Sequence, residues 1–240
     1  MCNLRFENWT FFLNQTFCFK THLNYVILIR MTYLILDTST SECLIALANE
    51  NEVVAEEIFT HNNLLSNLLL PTIERLIEKH IQSPKNINGV AVGIGPGSYT
   101  GTRLGVAVAK SLAFGLQVPI KTFSSPLAFL PKKEGSFVFF ILTRSDKFYA
   151  LSGSITSAQV IQMDASLLTM EEIKKFETTN FLICSSPDRL PCLFRKKSCF
   201  LPTPNLLTLR LFLSKQEPVS LENVELLYLH TPFKIKNCSL

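Results

Sequence analysis

Outside one stretch, this sequence has almost no glycine. Seven of its nine glycines fall between Gly89 and Gly115, so backbone freedom is concentrated in one place. Other absences narrow the function classes. Seven cysteines (Cys2, Cys18, Cys43, Cys184, Cys192, Cys199 and Cys238) include no CxxC pair and have no neighbouring histidines, which leaves no zinc-site spacing. An odd number of cysteines without a secretory leader pattern fits reduced thiols in a cytoplasm, used as small apolar residues. Long basic runs are missing too. The net charge is +4, and basic residues cluster only briefly, as at Lys132-Lys133 and Arg195-Lys196-Lys197, so a strong direct RNA-binding role is not readable. The apolar run Tyr25–Ile29 is broken by Arg30 far short of a membrane span. No internal repeat or low-complexity tract is visible. With 47% apolar and 18% charged residues over 240 positions, the chain reads as a globular protein able to bury one large core or two smaller ones.

The first thirty residues differ from the rest. Phe6, Trp9, Phe11, Phe12, Phe17 and Phe19 sit among polar residues with neither helical nor strand period. Met31 then precedes a clear strand, so Met31 is expected to be the translation start, or residues 1–30 to lie outside the fold.

The glycine-rich stretch has its own logic. Gly89–Ile94 is a short apolar, β-branched run that reads as a buried strand. Ser98 or Thr100 can cap a helix that runs to a glycine stop at Gly115. Strand, glycine turn and helix aim backbone N–H groups at one spot where an anion could sit. Along that helix Gly101, Gly105, Ala109 and Ala113 recur every four residues, leaving one face nearly bare. Such a stripe packs either on the chain's own sheet or against a second helix, perforce at close range.

Before it, Tyr33–Leu36 reads as a strand ending in the bend Asp37-Thr38-Ser39, followed by a hairpin of Leu44–Ala48 and Val53–Phe59. Hydroxyls and amides of that bend could cradle a phosphate, or form a plain Asx/Ser turn. A helix is expected from Leu64 to His80, kinked at Pro71, whose leucines cover more than one face. One side would pack on the sheet; Leu65, Leu68, Leu69 and Leu76 are candidates to meet a partner. Val118–Phe123 is a further strand, Ser124–Leu130 a short helix, and Pro131–Gly135 the best boundary. Strands then follow at Phe137–Leu142, Phe148–Leu151, Gln159–Met163 and Phe181–Cys184, with a capping box at Thr169–Glu172 and a helix at Asn205–Lys215. Glu222–Leu229 is extended or helical. The order implies α/β architecture with mixed sheets and packed helices.

Three blocks carry a resemblance: Leu34–Thr40, His61 ahead of a Leu-Leu-Pro helix, and Gly95–Gly105 with its long glycine pattern. From Met31 onward the chain resembles the TsaB (YeaZ) family, bacterial proteins needed to make threonylcarbamoyladenosine on tRNA; the likeness is strong to about Phe123. It implies an actin-like ATPase (ribonuclease H-like) fold of two lobes, 31–130 and 131–240, the second shortened. It also implies a cytoplasmic, non-catalytic scaffold that pairs with a TsaD-like catalytic subunit through its first two helices. A TsaE-like ATPase would join, and tRNA would be reached through the complex. The interface would then hold Leu65, Leu68, Leu69, Leu76, Gly101, Gly105, Ala109 and Ala113. Gly105→Leu is accordingly expected to block association while sparing the fold.

Catalytic chemistry finds little footing. The resemblance matches one of two metal-holding histidines with His61, but Leu65 stands at the other position, and one imidazole cannot make a site. No histidine or aspartate is placed to activate Ser39 or Ser98. Asp37, Thr38, Ser39, Gly95, Gly97, Ser98 and Thr100 are the candidates for weak binding of ATP or ADP phosphates with Mg, and otherwise no cofactor is expected. In the second lobe only Arg144 of the family's Asp-Ala-Arg stands, and Tyr228-Leu229-His230 replaces Tyr-Leu-Arg. Two alternatives stay open: a nucleotide-hydrolysing or phosphotransferring enzyme of the actin-like and sugar-kinase-like superfamily, and a self-associating module pairing as a homodimer through the same helices.

Overall fold

The computed structural model describes residues 31–40, 42–60, 64–131, 133–142, 147–156, 159–176, 179, 181–184, 199–200, 204–228 and 234–239. Met31–Leu240 cluster as one unit. Its described residues build two sheets with the same internal order. In the first, β1 (Tyr33–Asp37), β2 (Glu42–Ala48) and β3 (Val53–Thr60) form an antiparallel meander. After α1 (Leu65–His80), β4 (Gly89–Gly93) adds parallel to β1; after α2 (Tyr99–Leu116), β5 (Ile120–Phe123) adds parallel to β4. The sheet order is β3-β2-β1-β4-β5.

The second sheet repeats the plan. β6 (Gly135–Leu142), β7 (Phe148–Thr156) and β8 (Gln159–Leu168) form the meander, while β9 (Phe181–Cys184) and the two-residue β10 (Cys199–Phe200) add parallel on the other side of β6. β11 (Lys234–Ser239) extends the far edge, antiparallel to β8. The duplication is invisible in sequence because it is a repeat of strand order, not of residues. Among the described residues between β8 and β9, the 16-residue α1 of the first lobe has a five-residue 3-10 turn, Glu172–Phe176, as its counterpart. The second lobe is shortened there.

Strand alternation divides the apolar residues among three layers. Leu34, Leu36, Ile45, Leu47, Val90 and Val92 point to one face of the first sheet and meet Leu69, Ile73 and Ile77 of α1 and Val106, Ala109 and Ala113 of α2. Ile35, Leu44, Ala46 and Ala91 point the other way, onto the 3-10 turn Ser125–Phe129, onto α3 (Leu206–Ser214), and onto Phe137, Phe139, Tyr149 and Leu151 of the second sheet. Val138, Phe140, Phe148 and Ala150 close a smaller layer with Ile173. The middle layer is shared, so the loop at Pro131–Gly135 changes sheets without separating cores.

Local signals explain the helix ends. Ser98 accepts a bond from the Gly101 amide and caps α2, and Asn205 caps α3 through the Thr208 amide. The Thr169–Glu172 capping box forms: the Thr169 amide donates to Glu172 Oε2 at 2.8 Å, and the Glu172 amide to Thr169 Oγ1 at 3.3 Å. Helix α2 does not stop at Gly115, which faces open space. It ends one turn-step later at Gln117, whose left-handed φ of 56° lets its amide reach the Ala113 and Phe114 carbonyls. Among the described residues no helix is long and apolar enough to cross a membrane.

Candidate docking surface and glycine turn

The β1–β2 bend and the glycine turn meet directly. Asp37, Thr38, Ser39 and Thr40 are all buried. Thr38 Oγ1 donates to the Gly101 carbonyl at 2.7 Å, the Ser98 amide to the Ser39 carbonyl at 2.6 Å, and Thr102 Oγ1 to the Ser98 carbonyl at 2.7 Å. Glycine is what permits this approach. A Cβ on Gly97 would lie 2.3 Å from the Ser39 carbonyl oxygen, one on Gly101 2.2 Å from that of Thr38, and one on Gly105 2.2 Å from Thr38 Oγ1.

Two sequence expectations change here. The bare stripe of α2 faces inward: Gly101, Gly105, Ala109 and Ala113 are buried, the first two against Thr38 and the alanines in the core beneath the sheet. These four positions present no surface to a partner, because the chain's own bend fills the space their missing side chains leave. The phosphate candidates also come together differently from an open cradle. Of Asp37, Thr38, Ser39, Gly95, Gly97, Ser98 and Thr100, the structure gathers all around one turn, but Thr38 Oγ1, Ser98 Oγ and the Ser98 and Gly101 amides are already bonded within it. Thr100 faces solvent.

Asp37 is the one charged-type group inside this turn. Its Oδ1 accepts from the Ser39 amide at 2.8 Å, while Oδ2 and the Ser39 and Ser124 hydroxyls have no partner in bonding geometry among the described residues. Burial pushes the Asp37 carboxyl above the usual carboxylate range, against the weaker pull of Ser39 and Ser125. Ser125 spends its oxygen on the Gly95 amide at 3.0 Å. Among the described residues no three His, Cys, Asp or Glu side chains gather as a metal site. His61 and Arg144 lie outside the described residues, as do residues 1–30, Leu229 and His230.

Helix α1 splits its leucines as its width implied, with a different division. Leu65, Leu69 and Leu76 are buried in the first lobe, so these three leave the expected interface; they lie on the stripe that faces the sheet. Leu68 is 39% exposed. Leu64 and Leu70, and Phe114 at 75% on the touching helix α2, are the exposed apolar side chains that sequence reasoning passed over. The available signal was the 3.6-residue phase: positions 65, 69, 73 and 76 fix the inner face, and 64, 68 and 70 fall off it. A second missed group lies at the start of α2. Arg103 stacks with its guanidinium carbon 3.8 Å from the Tyr99 ring centre and donates from Nη2 and Nε to the Tyr228 hydroxyl at 2.9 and 3.2 Å.

Comparison with known proteins bears on the same region. The family model described as TsaD, tRNA N6-adenosine threonylcarbamoyltransferase, matches residues 53–132. The TsaB protein of tRNA threonylcarbamoyladenosine biosynthesis from Bacillus subtilis is 40% identical over 95 residues, covering 40% of this chain and 42% of that protein. Its Escherichia coli counterpart is 35% identical over 91 residues, covering 38% of each. The alignments thus span about two fifths of the curated relatives' length. Over a longer stretch the fold agrees with YeaZ from Pseudomonas aeruginosa, at a TM-score of 0.67 and 25% identity over 83% of this chain and 100% of that one. A second Pseudomonas aeruginosa structure, described as similar to the peptidase YeaZ, gives 0.68 at 23% over the same shares. The duplicated strand order and packed helices are the actin-like ATPase-type architecture; the chain is similar in sequence to TsaB proteins over its first lobe and similar in fold to YeaZ over most of its length.

Proposed function

We propose that this chain is a scaffold subunit in forming threonylcarbamoyladenosine on tRNA, working in the cytoplasm without nucleotide, metal or catalytic residue of its own. It pairs with a TsaD-like catalytic subunit through the outer faces of α1 and α2, and a TsaE-like ATPase and tRNA meet that pair. The observation that carries this reading is the exposed apolar side chains Leu64 and Leu68 on one flank of α1 and Phe114 on the touching α2, with Leu70 on α1's other flank. A TsaD model matches the residues that include both helices. Partners built alike over a shared surface can dock face to face in a nearly two-fold arrangement, so the same face would also serve a homodimer when the chain is alone.

Burying a leucine or phenylalanine is worth about 1.5–3 kcal/mol, and neither Leu68 nor Phe114 contributes its exposed part to the core. The double variant Leu68→Asp, Phe114→Asp is therefore expected to stay folded, with a cooperative melt lowered by only a few degrees, and to lose co-purification with the TsaD-like protein. Retained co-purification, or retained modification of tRNA in a reconstituted mixture lacking this chain, would remove the proposal.

A further inference from the structure

The segment after α3 crosses from one face of the first sheet to the other. Helix α3 belongs to the shared middle layer, where Leu206, Leu209, Phe212 and Leu213 are buried. Ten residues past its end, Val224 is buried in the layer on the opposite face, beside α1 and α2, with Val219, Leu221 and Leu226 packed against the same layer. Between them the chain rounds the edge strand β5: the Val219 amide donates to the Ile120 carbonyl at 2.9 Å in an antiparallel bridge. An edge strand that would otherwise present unpaired backbone is covered there.

The segment then fastens to the glycine turn. The Leu227 amide donates to the Ile94 carbonyl at 2.8 Å. Its own carbonyl sits where a Cβ on Gly95 would approach to 2.8 Å, and Gly95 has φ of +94°, a conformation that glycine adopts at little cost. Tyr228 comes next and receives both Arg103 donors, with the Tyr99 and Tyr228 rings 5.8 Å apart. Four fastenings, at β5, in the core, at the glycine turn and at the start of α2, therefore tie one strap to the lobe that carries the exposed helices.

We propose that residues 216–228 are a strap that couples the second lobe to the docking face by holding the first turn of α2 and the glycine turn in place. This rests on the docking role argued above. When the strap is seated, α2 is fixed at its N-terminal end and its outer face is preorganised for a partner; when it lifts, the turn loosens and binding costs the ordering of those residues.

The test uses the full chain and two variants. Val224→Ala weakens the strap from inside the core, where no partner can touch it; Arg103→Ala releases the Tyr228 latch at the surface and leaves the core intact. Hydrogen exchange on each protein alone is expected to rise about tenfold at the amides of Gly95 and Gly97–Thr102 in both variants, and calorimetric affinity for the TsaD-like subunit to fall with it. Wild-type exchange in both variants would overturn the strap. Faster exchange with unaltered affinity would overturn the coupling. If the wild-type chain itself does not bind that subunit, the docking role fails while the exchange comparison still decides whether the strap holds the turn.

Discussion

Three residues in and around the β1–β2 bend make the sharpest demands. Gly105 touches Thr38 Oγ1, and a Cβ at 2.2 Å has nowhere to go. Gly105→Leu is thus expected to lower stability by at least about 1–3 kcal/mol through overpacking, read as a shifted urea midpoint of the isolated chain; a variant as stable as wild type that only lost a partner would restore the docking role read from sequence. Asp37 carries a raised carboxyl pKa in the folded state. Between the unfolded value near 3.9 and that raised value, the folded chain binds more protons than the unfolded one, so this group makes stability fall as pH rises. Asp37→Asn is expected to flatten that slope and to equal or exceed wild-type stability at pH 8, measured by denaturant titration across pH 4–8. Cys43 is fully buried in β2, and burial pushes its thiol up to about 12. Its peptide should take up iodoacetamide at pH 8 only after denaturant is added; rapid labelling of the native chain would contradict its placement.

At the scale of elements, α1 and α2 each show two faces with different jobs. The inner face of α1 is set by Leu65, Leu69, Ile73 and Leu76 on the sheet, and that of α2 by small residues that let Thr38 and the β1–β2 bend come close. Outward, Leu68 at 39% and Phe114 at 75% exposure leave apolar surface open to solvent. The two faces predict opposite variant behaviour. Leu69→Ala is expected to cost about 2–5 kcal/mol of stability as a buried leucine truncation. Leu68→Ala should cost well under half of that and show its effect in partner binding. Equal losses of thermal midpoint for the two would mean that the helix faces are assigned wrongly.

For the whole molecule, the shared middle layer decides how the lobes behave. Phe137, Phe139, Tyr149 and Leu151 of the second sheet pack with Ile35, Leu44 and Ala46 of the first, through Leu127, Phe129 and α3. Buried Lys121 adds a tie, donating from Nζ to the Leu213 carbonyl at 2.8 Å. A fragment of residues 31–131 would expose that layer and lose the strap that covers β5. It is expected to bind a hydrophobic dye and to lack a cooperative melting transition; a sharp transition near that of the full chain would show the lobes to be separable.

The sequence by itself determined the local units: apolar runs of four to eight residues for the strands, a hydroxyl or amide cap before α2 and α3, and a glycine block where main chains come within contact distance. These signals are carried by neighbours in the chain, so they can be read without knowing what lies across the fold. Only the tertiary structure decided what the small-residue face of α2 is spent on. A stripe of glycine and alanine is equally fit for a partner or for the chain's own bend, and Thr38, 67 positions before Gly105, is what settles it. The strap is of the same kind: Tyr228 meets Arg103 across 125 positions, a pairing that no periodicity records because it is made by the path of the chain around a sheet edge.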